Sequence, residues 1–246
     1  MIIRRVDQEQ TDRYPGCPRF PIAGTDFGHK TVHVGDLSYL PGAGVPHHYH
    51  TGRSEESQIM LEGELECWVD GKRTTVYPGD TVTAPPGIEH AFHNRTDKPA
   101  RMVTAFPTTL PETVHTDDPE LEDVGEHPAI IRAGTRTSRY AEGVEGVERL
   151  ELSGDFSGAK TTYTYFVDIQ PGASMPVESN DAETVVFVVS GPVVYVSGDE
   201  IEHGSGDEFE LGTTDAVVVD PNESYGFANR GSEVARLVVI HPFLNG

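Results

Sequence analysis

Cysteine is scarce in this chain: Cys17 and Cys67 are the two thiols in 246 residues. Neither belongs to a C-x-x-C pair, so a zinc ribbon or a disulfide framework is excluded, and two reduced thiols in a cytoplasmic protein are expected. Basic residues are also few, 18 Lys+Arg against 40 Asp+Glu, for a formal net charge of −22. Phosphate backbones and anionic lipid heads are bound by clustered cations, so neither nucleic acid nor a membrane is an expected partner. The acidity reads as a solubility device. No apolar run approaches the ~20 residues of a membrane span. The longest, residues 184–189, is strand-sized, and the opening MIIRRVDQEQ lacks a signal-peptide core. No segment holds a helical period over ten residues.

What is present is turn residues and alternation. Gly 26 and Pro 18 punctuate the chain, as in a turn-rich all-β protein. Strands are expected at 31–40, 57–61, 65–69, 72–77, 81–84, 91–94 and 101–106. A second set falls at 161–169, 184–190, 193–197, 216–219 and 235–240. Glu62-Gly63-Glu64 between two of the runs signals a hairpin.

The second set repeats the first. PGAGVP at 41–46 recurs as PGASMP at 171–176, Gly63 as Gly191, and Phe92 and Asn94 as Phe227 and Asn229. Self-similarity over ~130 residues means two copies of one fold. We divide the chain into a first barrel at 1–110, an acidic linker at 111–138 and a second barrel at 139–246. The stretch PETVHTDDPELEDVG at 111–125 has no strand alternation and reads as exposed, with His115 in solvent.

The chemistry lies in the first copy. His48 and His50 are two apart on a strand, so both point to one face with Cα atoms about 6.6 Å apart. Glu56 falls on the next strand and His90 on a third. Three imidazoles and a carboxylate suit one divalent transition ion and leave coordination positions open. In the second copy these places hold Glu178, Asn180, Thr184 and Tyr225. That set, even with Glu183, makes a poor site, so one ion per chain is expected and the second copy is structural, with Tyr225 marking a metal-free pocket.

By the same alternation Gln58 and Met60 share the face of Glu56, and Phe92 and Asn94 that of His90. Gln58, Met60 and Phe92 are the candidate substrate contacts, the last two also reading as core. Asn94 reads as a turn clamp, His47 and His93 as outward, and Arg53 as a solvated loop residue. The facing of His33 is not set by parity.

The stretches Gly42-x5-His48-x-His50-x5-Glu56-x6-Gly63 and Gly79-x5-Pro85-x-Gly87-x2-His90-x3-Asn94 resemble the two motifs of the cupin superfamily, the first with one extra residue after His50. The resemblance covers most of the chain as a bicupin. It implies two tandem double-stranded β-helix (jelly-roll) barrels, with His48, His50, Glu56 and His90 as metal ligands. Bicupins similar to quercetin dioxygenase imply iron, or Mn, Ni, Co, Cu or Zn, with a small-molecule substrate chelated beside O2 and Glu56 as base. Two alternatives stand beside this reading: Lewis-acid chemistry (isomerase, dehydratase, decarboxylase or lyase) and a non-catalytic ligand-binding bicupin. Exposed sheet edges lead us to expect a homodimer.

Overall fold

The computed structural model describes residues 1–117, 123–135, 139–140, 144–197 and 206–243. Strands dominate it, joined by tight turns and four short 3-10 turns. The first barrel is two sheets facing each other. One runs Ile130–Ile131, Thr81–Ala84, Glu56–Glu62, Ala100–Phe106, His33–Tyr39, Cys17–Ala23, Thr11–Tyr14. The other runs Thr113–His115, Gly44–His50, His90–His93, Leu65–Val69, Lys72–Val76, Asp123–Val124. Alternate residues of both sheets point inward, and Tyr39, Met60, Leu65, Val82, Phe92 and Met102 fill the deep end of the barrel.

The second barrel repeats the plan. Thr162–Ile169, Thr184–Ser190, Ala216–Val219 and Ala235–Pro242 pair in its large sheet, facing a smaller sheet of Pro192–Ser197, Asp207–Gly212 and Tyr225–Ala228. Its central strands read TVVFVVS and AVVV, apolar on both faces. That pattern marks a sheet covered on both sides. The second cover is the first barrel. Ile59, Val103 and Ala105 meet Phe166, Val185, Phe187 and Val238 in one continuous core.

Two segments depart from the expected division. Ile2–Ile3 pairs with Ala216 and Val217, so the amino terminus belongs to the second barrel's sheet. The stretch expected as a free linker is tied to the first barrel. Thr113–His115 pairs with the His48–His50 strand, Asp123–Val124 with Lys72–Val76, and Ile130–Ile131 with Thr81–Ala84. These edge strands are held by backbone ladders, which any sequence supplies, so their side chains need not alternate. Residues 118–122 of that stretch and 136–138 lie outside the described residues.

Candidate metal centre

His48 and His90 lie directly across from each other on paired strands, and His50 lies opposite Thr113. Glu56 begins the neighbouring strand of the facing sheet, opposite Ala84. One ligand atom from each of the four lies within 4.8 Å of all the others. All four residues are buried. The sequence-expected cluster therefore assembles.

Each imidazole is held by its outer nitrogen. Nδ1–H donates to the backbone oxygen of Pro46 from His48 (2.8 Å), of Glu112 from His50 (3.1 Å) and of Ile88 from His90 (2.9 Å). That leaves all three Nε2 atoms aimed at one point, the arrangement by which metal-binding histidines are fixed. Glu56 Oε2 lies 3.0 Å from His50 Nε2 and 2.8 Å from His90 Nε2. With Nδ1 carrying the proton, each Nε2 would meet the carboxylate lone pair to lone pair unless a second proton or a cation sat between them. Burial alone would raise the carboxyl of Glu56, but the contacts with His50 and His90 outweigh it and hold it far below the usual range. Burial lowers His48 to about 3, helped by the nearby His90, so its Nε2 carries a free lone pair. Glu56 raises His50 against its own burial. The donor set and its orientation fit a divalent transition ion.

The centre opens onto a cavity of about 100 Å³. Gln58 and Phe92 line it; Gln58 is 3 % exposed, and its Oε1 has no hydrogen-bond partner. Met60 does not line it. It shares the face of Glu56 but sits two strand repeats deeper, opposite Met102 and packed in the core. Asn94 is a turn clamp, its Nδ2 donating to Tyr39 O (2.9 Å) and Lys98 O (2.7 Å).

His47 does not face solvent as parity suggested. It is buried, its ring edge-on to Trp68 at 5.6 Å, because Trp68 covers the outer face of that sheet. His93 packs on the same indole and fills the space above Gly44, where a Cβ would lie 1.7 Å from the ring. Arg53 is exposed. His115 is also exposed, yet it is not loose: Tyr14 Oη and His115 Nε2 are 3.3 Å apart, and its ring lies 5.9 Å from that of His48.

The cavity also holds Arg19, which the sequence reading missed, and His33, whose facing it left open. Arg19 and His33 line it, with Arg19 Nη2 donating to His33 Nε2 at 2.8 Å. Burial, then the charge of Arg19, pushes His33 down to about 4, so it is a neutral acceptor. Burial also lowers Arg19, with Glu56 opposing. One signal for Arg19 was present in the chain: Arg149 follows Gly146 at the spacing by which Arg19 follows Gly16.

In the second barrel the equivalent space is filled by a hydrogen-bonded network. Tyr165 and Tyr225 donate to Glu178 Oε2 (2.9 and 3.0 Å), and Asn180 Nδ2 donates to the Tyr225 hydroxyl and to Thr184 Oγ1.

Residues 35–106 and 165–241 each match the family model described as Cupin domain. The chain belongs to the cupin family. It is a bicupin, with one match inside each barrel. A polyketide synthase protein, CurC of Streptomyces cyaneus, is 31% identical over 129 residues, covering 50% of this chain and 83% of that protein. Gentisate 1,2-dioxygenase 1 of Aquipseudomonas alcaligenes is 33% identical over 100 residues, but those are 37% of this chain and 28% of the dioxygenase. Oxalate decarboxylase of Lactobacillus farciminis, solved as a formate complex, superposes with a TM-score of 0.78 over 98% of this chain and 85% of that one, at 13% identity. That likeness is one of fold.

Proposed function

We propose that this bicupin is a metal-dependent dioxygenase of a small, oxygen-bearing organic molecule, with His48, His50, Glu56 and His90 holding the metal. The observation that carries the reading is the convergence of three Nε2 atoms and one carboxylate at a cavity rather than inside packed core. A redox-active ion bound there, iron in this reading, supplies Lewis acidity and an electron source for O2.

The chain's own residues supply the rest. Carbonyl acceptors lock the three imidazoles, so the donor set costs no reorganisation when a guest enters. Glu56 lines the cavity and, on loosening from the metal, its carboxylate would accept the proton of an enol or phenol. Gln58 Oε1 accepts a hydrogen bond from a substrate hydroxyl, which gives the unpartnered amide a role. Phe92 excludes water from one wall. The partial likeness to gentisate dioxygenase agrees with this choice.

The fold likeness to oxalate decarboxylase favours one second reading, non-redox Lewis-acid chemistry by the same residues. An oxygen electrode separates the two. Uptake of O2 with a β-diketone, catechol or hydroxybenzoate, absent from protein stripped of metal, supports the dioxygenase. Turnover under strict anaerobiosis supports the alternative. The buried, unpaired thiols of Cys17 and Cys67 fit a reducing cytoplasm. The exposed edge strand Thr11–Tyr14 is where a second chain could add in a homodimer.

A further inference from the structure

Arg19 is a half-buried cation on the wall of the cavity beside the donor cluster, and among the described residues no carboxylate lies within ion-pair distance of it. Its one hydrogen bond there goes to His33, which is neutral. Guanidinium groups taken out of water are normally matched by an anion.

The second barrel holds the same arginine with that need met. Arg149 lies opposite Val167 as Arg19 lies opposite Leu37, each three residues after a left-handed glycine (Gly146, φ 80°; Gly16, φ 73°). Arg149 donates to the hydroxyl of Tyr163, which holds the place of His33, at 3.0 Å. Its guanidinium stacks on Tyr165 at 3.5 Å and lies 3.7 Å from the carboxylate of Glu178. Glu178 holds the place of His48 and Tyr165 that of Gly35. In one copy the chain provides the carboxylate; in the other a histidine replaces it. Gly35 leaves Arg19 its room, since a Cβ there would lie 2.3 Å from Arg19 Nε.

We propose that Arg19, oriented by His33, binds a carboxylate group of the substrate, so that the first barrel selects small organic acids over neutral molecules. His33 acts by positioning Arg19. The inference rests on the reading that this cavity takes the substrate, but it does not depend on which reaction follows.

The test is calorimetric titration of the full chain, with Mn(II) bound and again without metal. The probes are acetate, pyruvate and benzoate, each against its uncharged amide. A charge-assisted bidentate pair predicts that at least one acid binds about tenfold or more tighter than its amide. Arg19→Gln should abolish that preference, Arg19→Lys should keep part of it, and Arg149→Gln should leave it intact. Gly35→Ala, which intrudes on the guanidinium, should also abolish it and serves if Arg19→Gln does not fold. No preference in any pair, or a preference that survives both Arg19→Gln and Gly35→Ala, overturns the proposal. Intact preference without O2 uptake defeats only the reaction class proposed above; O2 uptake without preference defeats only the arginine's role.

Discussion

Glu56 and Gln58 are two residues apart on one strand, face one cavity, and carry opposite demands. The carboxylate is satisfied by two imidazoles, whereas the amide oxygen has no partner. Glu56→Gln keeps the shape and removes the charge. We expect it to retain part of the metal and to lower kcat by about a hundredfold or more if the carboxylate is the base. Steady-state kinetics on metal-quantified protein checks this, and wild-type kcat would remove the base role. Gln58→Met removes a buried unpaired acceptor at similar volume. It should leave the melting temperature unchanged or raise stability by about 1 kcal/mol, while KM rises severalfold. A lower melting temperature with unchanged KM would assign Gln58 to structure. The four ligands were legible in the chain because a spacing of two on a strand places His48 and His50 side by side. Arg19 and His33 were not, because the register of Cys17–Ala23 against His33–Tyr39 brings them to the cavity. Met60 was misplaced because parity gives a face but not a depth along the barrel.

At the scale of elements, two acidic residues clasp one barrel to the other. Glu55 accepts from the amides of Lys160, Thr161 and Thr162, and Glu183 from those of Lys30 and Thr31. Each precedes the residue at the ligand position, Glu56 in one copy and Thr184 in the other. Burial pushes the carboxyl of Glu183 up, but the Thr31 hydroxyl and the two amides outweigh it and hold it below the usual range. A carboxyl lowered in the folded state adds stability that is complete above its unfolded pKa, about 4.3, and fades as pH falls through its folded value. Glu183→Gln should therefore cost about 1–3 kcal/mol at pH 7, with the gap in melting temperature closing below pH 4. A gap that is constant with pH would mean that the charge of Glu183 does not matter. The central strands could be read from the sequence because their side chains carry the pattern: residues 185–189 of Thr184–Ser190 are apolar without a break. The clasps and the strand Thr113–His115 could not, because at least one partner in each bond is a backbone group, which any sequence supplies.

At the scale of the molecule, the two barrels share one core, so neither sheet has a wet outer face at their junction. Phe187 is fully buried there, with Arg101 of the first barrel over its ring at 5.5 Å. Phe187→Ala should cost about 3–5 kcal/mol and lower a single melting transition. Two resolved transitions in the wild type would show that the barrels unfold independently. The duplication lets the two copies differ in what they place at the same point of the fold. The places of His48 and His90 in the first barrel hold Glu178 and Tyr225 in the second, where Tyr165 from a neighbouring strand completes a network whose members satisfy one another. The measurement that tests this account most directly is the metal content of the chain after loading and exhaustive dialysis. One transition ion per chain in the wild type, and close to none in His90→Ala folded to the same secondary structure, is the predicted result. Two ions per chain, or one ion retained in His90→Ala and in His48→Ala alike, would contradict it.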